Sequence, residues 1–230
     1  PDDEDIYDPE EFREPFELNN RLLKRKFIDD FDTGGRFYGG WWQGCPSELR
    51  KHITIQGRVT AEADFSTIQP HILYAEKGLP VPKDSYLVGG WDKEYREVYK
   101  KAFNQLINSK PRVQNNLGLL SPDLKPKPLP AGWDDLNKNQ KKNHQLKEFK
   151  RLTGREYSEL LTDLIKYHEP IKDYFFSQSW RWLQRIDSDI AELVIFKLIS
   201  KMIPALPIHD SFIVPLDDEV NNLVELYKAM

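Results

Sequence analysis

Ala63-Asp64-Phe65-Ser66-Thr67-Ile68-Gln69-Pro70 is the stretch on which the reading of this chain turns. An acid closes the apolar, strand-like run Val59 to Phe65, and a helical pattern follows from Ile68 to Lys77. Its counterpart near the C-terminus is Leu206-Pro207-Ile208-His209-Asp210-Ser211-Phe212-Ile213-Val214, where an Asp sits at the tip of a predicted β-hairpin. Two carboxylates delivered from strand ends far apart in sequence are what a two-metal phosphoryl-transfer site requires. Each can bridge a pair of divalent ions about 3.5–4 Å apart, which stabilise the attacking and the leaving oxygen. Asp64 and Asp210 are therefore the candidate chemical centre; the plain alternative is two unrelated acids at turns.

A chain of 230 residues with 39% hydrophobic and 12% aromatic content is globular, and it fits one large domain or a domain with a sizeable insertion. No run approaches the roughly 20 apolar residues of a membrane span, and no signal-peptide pattern opens the chain. The expected location is cytoplasmic, with no membrane partner. Cys45, the single cysteine, excludes an internal disulfide and a thiolate zinc cluster, and the histidines show no metal-ligand spacing. Any metal is therefore expected on carboxylates, which points to Mg²⁺ or Mn²⁺. The net charge of -4 divides unevenly: residues 1–20 sum to -8 and the remaining 210 to +4, so a mildly basic body carries an acidic leader. Opening on Pro1 rather than Met, the chain reads as a fragment or a trimmed product, which leaves domains upstream open.

Pro9 and Pro15 argue against a long helix in residues 1–17, a poorly ordered acidic lead-in. Leu22, Leu23, Phe27, Ile28 and Phe31 predict a short amphipathic helix within 18–31, ended by Asp32-Thr33-Gly34-Gly35-Arg36. Residues 36–56 read as hairpin and loop, with Leu49 to Ile55 as a strand turning at Gln56-Gly57. Further helices are predicted over Asp92 to Asn108, over the basic block from Lys138 to Arg155, over Tyr157 to Tyr167, over Pro170 to Met202 with a break near Asp187-Ser188-Asp189, and over Asp218 to Met230. Residues 109–135 read as a long surface loop.

On the helix Asp92 to Asn108, the residues Arg96, Lys100, Asn104 and Asn108 recur every fourth position and form one ridge. Cations so spaced can grip a triphosphate, although a solvated charged face is the commoner use of such a pattern. Order along the chain favours the first. Thr33-Gly34-Gly35-Arg36, Asp64-Phe65-Ser66, Arg96-x-x-x-Lys100, Asp187-Ser188-Asp189-Ile190-Ala191 and His209-Asp210-Ser211 follow one another as in the core of family A DNA polymerases, which the chain resembles from about Thr33 to Met230. It is more distantly similar to single-subunit phage RNA polymerases.

The resemblance implies an α+β fold: a right-hand palm with an antiparallel sheet and packed helices, a helical fingers insertion, and a reduced or absent thumb. It implies a lead-in and short helix over 1–32, a first palm half over 33–88, fingers over 89–185 and a second palm half over 186–230. By the same resemblance Asp64 and Asp210 bind two Mg²⁺ or Mn²⁺ ions with help from the Phe65 carbonyl. Arg96 and Lys100 contact the phosphates of an incoming NTP or dNTP, Arg36 touches the minor groove near the primer end, and His209 sits near the primer terminus. Departures are informative. Gln69 stands where the family usually has a Glu that crowds the sugar 2′-hydroxyl, and Asn104 and Asn108 stand where an aromatic residue and Tyr screen the sugar and stack on the base pair. Weakened discrimination between ribo- and deoxyribonucleotides is the expected consequence. Ser211 replaces the acid of the DNA enzymes and matches the phage RNA polymerases.

Lys141, Lys142, Lys150 and Arg151 are expected to track a nucleic-acid backbone. Trp41 and Trp42 either stack on bases or, as is commoner for a Gly-flanked aromatic pair, fill core. The implied activity is template-directed nucleotide transfer by a reduced polymerase or primase, and the implied partners are a DNA template and primer, a nucleoside triphosphate, and a clamp from an upstream domain or a partner protein. A phage or mobile element is the expected setting. The alternative is a palm-derived module that binds DNA or a partner polymerase without chemistry.

Overall fold

The computed structural model describes residues 18–110, 124–125, 128–217 and 221–230. The expected acidic lead-in, most of the expected 109–135 loop and the start of the last predicted helix lie outside these residues. The elements are β1 (Lys24–Ile28), β2 (Asp30–Tyr38), α1 (Ser47–Arg50), β3 (Thr54–Ile55), β4 (Arg58–Asp64), α2 (Ile68–Glu76), α3 (Arg96–Asn108), α4 (Lys138–Thr153), α5 (Tyr157–Tyr167), α6 (Trp180–Ser200), β5 (Leu206–Ile208), β6 (Ser211–Pro215) and α7 (Asn221–Ala229). The fold is mixed α+β, with every strand pairing antiparallel. No helix among the described residues is long and apolar enough to cross a membrane.

Two compact units divide the chain: residues 1–66 with 187–230, and residues 67–186. The first is built on a four-stranded sheet of order β3-β4-β6-β5. Strand β6 is buried along its whole length, which explains its unbroken apolar run: a strand covered on both faces has no polar side to alternate with. Phe212 and Val214 join Ala63 of β4 against Ala191, Val194 and Leu198 of α6 and Leu226 of α7, whereas Ile213 packs with Trp42, Cys45 and Ile53. Trp42 thus fills core, and its indole Nε1 donates to the Pro207 carbonyl at 3.0 Å. The predicted turn at Gln56-Gly57 closes β3 onto β4, with both residues at positive φ (54° and 76°) as a two-residue hairpin needs.

Three sequence expectations need correction. Residues 18–31 form no helix; 24–28 pair with 30–38 in the β1–β2 hairpin. Leu22 and Phe31, counted there as an apolar face, are 72% and 76% exposed, so no helix face is buried to outweigh hairpin closure. In 36–56 the only strand after Tyr38 is Thr54–Ile55, because Pro46 opens a turn whose carbonyl accepts from the N–H groups of Leu49 and Arg50 and coils that stretch into α1. Helix α6 runs unbroken through Asp187-Ser188-Asp189. The interruption falls earlier, at 175–179, where Phe176 and Gln178 adopt positive φ and the N–H groups of 176, 178 and 179 bond the carbonyls of Leu106, Ser109 and Ile107.

The second unit contains α2 to α5, close to their predicted spans. Helix α4 carries an Asn137–Gln140 capping box and ends on Gly154 in the left-handed region (φ 71°), so each end has a capping hydrogen bond. Helix α3 buries Val98, Tyr99, Ala102, Phe103, Leu106 and Ile107. His168 is fully buried beside them: Tyr74 Oη lies 3.0 Å from its Nδ1 and the Ser85 carbonyl 2.7 Å from its Nε2. Burial pushes the imidazole down from 6.5 to about 4, against the pull of the Ser85 carbonyl. The unfolded chain therefore binds a proton that the folded chain refuses in this window. Stability is expected to fall by up to about 3 kcal/mol as the pH drops from the unfolded towards the folded value, and to be unaffected by this group above the unfolded value. An NMR titration should show His168 still neutral at about pH 5.5; titration near the ordinary imidazole value would contradict its burial.

Candidate functional site

Asp64 ends β4 directly opposite Ser211, the first residue of β6, and the Phe65 N–H donates to the Asp210 carbonyl at 3.1 Å. The two acids quoted at the outset thus occupy neighbouring strand ends. His209 takes the positive φ (56°) that lets a tight turn join β5 to β6 and present Asp210. Asp64, His209 and Asp210 line an open cleft of about 470 Å³ together with Arg50, Glu62 and Ser211.

Four carboxylates of this region divide into two kinds. Glu62 receives Arg50 through two bonds (2.9 and 3.0 Å) and Ser211 Oγ at 2.7 Å. Burial works to raise its pKa, but these donors outweigh it and hold Glu62 below the usual carboxylate range. Asp187, on the inward face of α6, is 3% exposed and receives Arg36 through Nε (3.1 and 3.2 Å) and through Nη2. Asp64 and Asp210, by contrast, have no ion pair or side-chain hydrogen bond among the described residues. Hard carboxylate oxygens left with open lone pairs suit Mg²⁺ or Mn²⁺. Among the described residues no three His, Cys, Asp or Glu side chains gather into a metal-holding group. Two carboxylates would therefore hold ions only with oxygens from the Phe65 carbonyl, water or substrate.

The β1–β2 hairpin brings a cation near the turn that carries Asp210. Alternation along β2 puts Arg36 and Tyr38 on one face, and the Tyr38 ring meets the His209 ring edge-on at 5.6 Å. Burial opposes the charge on Arg36, but Asp187 and then Asp210 outweigh it and raise the guanidinium pKa. His209 is pushed below the ordinary imidazole value, first by burial and then by Arg36, with Asp210 opposing.

No family model matches the chain, and no curated protein matches it. The residues themselves carry the argument.

In the second unit, Arg96, Lys100, Asn104 and Asn108 do form one ridge along α3. Lys100, Asn104 and Asn108, with Lys101, line a groove of about 580 Å³. The amide oxygens of both Asn residues are buried without a partner, as is that of Gln69 on α2. Arg96 is already engaged: its Nε donates to Asp84 at 2.7 Å and its guanidinium lies over the Tyr86 ring at 5.1 Å. Lys141, Lys142, Lys150 and Arg151 do not make one stripe. Lys142 is partly buried towards the side of Gln145 and Phe149, Lys141 donates to the Asp134 carbonyl, and Lys150 and Arg151 pair with Glu156 and Glu148.

Sequence reasoning assigned no role to Asp187, Glu62 or Asp84. One signal was available for Asp187, which falls at helical spacing with Ala191, Val194 and Leu198, so an acid on that face needs a cation. Removing acids from this region should separate the two kinds. Asp64→Asn and Asp210→Asn are expected to change unfolding free energy by no more than about 0.5 kcal/mol or to raise it, while Asp187→Ala, which leaves Arg36 unpaired, should cost about 3 kcal/mol or more by urea denaturation.

Proposed function

We propose that this chain is a template-directed nucleotidyltransferase, a reduced polymerase or primase of the family A type that it resembles, extending a 3′-hydroxyl with NTP or dNTP on a DNA template. One observation carries the reading: Asp64 at the end of β4 and Asp210 in the adjoining β5–β6 turn line one cleft without an ion pair among the described residues, while Glu62 and Asp187 are each paired with an arginine. Protein acids that stabilise nothing and stand together are ligands in waiting. When bound, a pair of divalent ions would lower the pKa of the attacking hydroxyl and balance charge on the leaving pyrophosphate. Within the first unit, the protein's own share is to hold two carboxylates at adjoining strand tips with Arg36 and His209 near them for the primer terminus; in the second, Lys100 stands on its own groove for phosphate.

The engagement of Arg96 by Asp84 favours a second reading, a module that binds DNA or a partner without chemistry. Incorporation of labelled nucleotide on primed and bare single-stranded DNA separates the two. In the first reading the wild type incorporates with Mg²⁺ or Mn²⁺, Asp64→Ala and Asp210→Ala each lose at least about a thousandfold in rate, and Lys100→Ala raises KM for the nucleotide. DNA binding without incorporation in the wild type would leave the second reading standing.

A further inference from the structure

Arg36 and Asp187 form a buried pair close to the turn that carries Asp210. Arg36 shares a strand face with Tyr38, whose ring touches His209, the residue before Asp210. The charge on Arg36 acts on both His209 and Asp210. A guanidinium free to turn towards Asp210 would compete with a divalent ion for that carboxylate. Arg36 is not free: its Nε and Nη2 are bonded to Asp187, and Asp210 has no ion pair among the described residues.

We infer that Asp187 is a positioning residue that draws Arg36 away from Asp210 and so keeps the metal-binding carboxylate open. The inference rests on the reading of Asp210 as a metal ligand and adds to it a division of labour between two acids around one arginine. The backbone supports Asp187 in this. Ser188 Oγ donates to the Gly35 carbonyl, and Arg25 donates to the same carbonyl at 2.8 Å and to Asp189 at 2.8 Å, so the strand that carries Arg36 is tied to α6 on either side of the pair.

Mn²⁺ binding to the full chain without nucleotide, read as loss of the free-ion signal in electron paramagnetic resonance, tests this independently of turnover. Asp187→Asn, nearly isosteric, should weaken Mn²⁺ binding about tenfold, roughly the loss of one charge-assisted hydrogen bond's worth of affinity. The double variant Asp187→Asn with Arg36→Gln should bind about as the wild type does, because the competitor is gone. Arg36→Lys leaves Asp187 intact but trades a two-pronged hold for a point charge, and it should weaken binding several-fold. Wild-type affinity in both Asp187→Asn and Arg36→Lys would overturn the inference, as would a double variant as weak as Asp187→Asn alone, which would make Asp187 merely structural. Unchanged binding in Asp210→Asn would instead overturn the metal reading itself.

Discussion

The buried pair between Arg36 and Asp187 is the constraint on which the first unit depends. A two-stranded hairpin is marginal by itself in water, and β1–β2 pairs with no other strand among the described residues. What fixes it is a set of polar contacts to one helix: Arg36 to Asp187, Ser188 to the Gly35 carbonyl, and Arg25 to Asp189 and Glu192. Taking a carboxylate to 3% exposure is costly unless the cation comes with it, and losing the cation later is costlier still. The hairpin therefore has one position on α6. Because α6 is seated on the sheet through Ala191, Val194 and Leu198, the hairpin is also placed with respect to the turn that carries Asp210.

Charge around the cleft is consequently sorted. Arginines pair with Glu62 and Asp187, and the acids at the strand tips have no ion pair among the described residues. The second unit shows a parallel sorting of cations. Asp84, braced by the N–H groups of Tyr86 and Leu87, holds Arg96 by its Nε edge, while Lys100 stands on the groove without an ion pair among the described residues. Paired and unpaired side chains are distinguishable here by what the fold brings to them rather than by their type, since Asp appears in both groups.

Local signals made much of this legible in the chain alone. Turn chemistry at Gln56-Gly57, the acid-tipped run ending at Asp64, the apolar run through Phe212-Ile213-Val214, and the helical periods of α2 to α5 depend on residues within a few positions of one another, so β4, β6 and most helices could be named with their site residues. That Asp64 and Asp210 would be neighbours followed from treating two strand ends as parts of one sheet. The errors have a common origin. Residues 18–31 satisfy helical spacing as well as a strand does, and only a partner helix more than 150 residues away holds them as β1; likewise Asp187-Ser188-Asp189 looks like a helix break until Arg36, the Gly35 carbonyl and Arg25 satisfy it.

By itself, then, the sequence determined which segments are strands and helices wherever period and turn residues agree, and it singled out the acids at two strand tips. Tertiary structure alone decided that the segment before Thr33 is a hairpin, that α6 is continuous, and which acids are paired. The reason is physical: period and turn preference are properties of neighbouring residues, whereas the partner of a buried charge is whatever the fold brings within about 3 Å of it, and no local pattern records that distance.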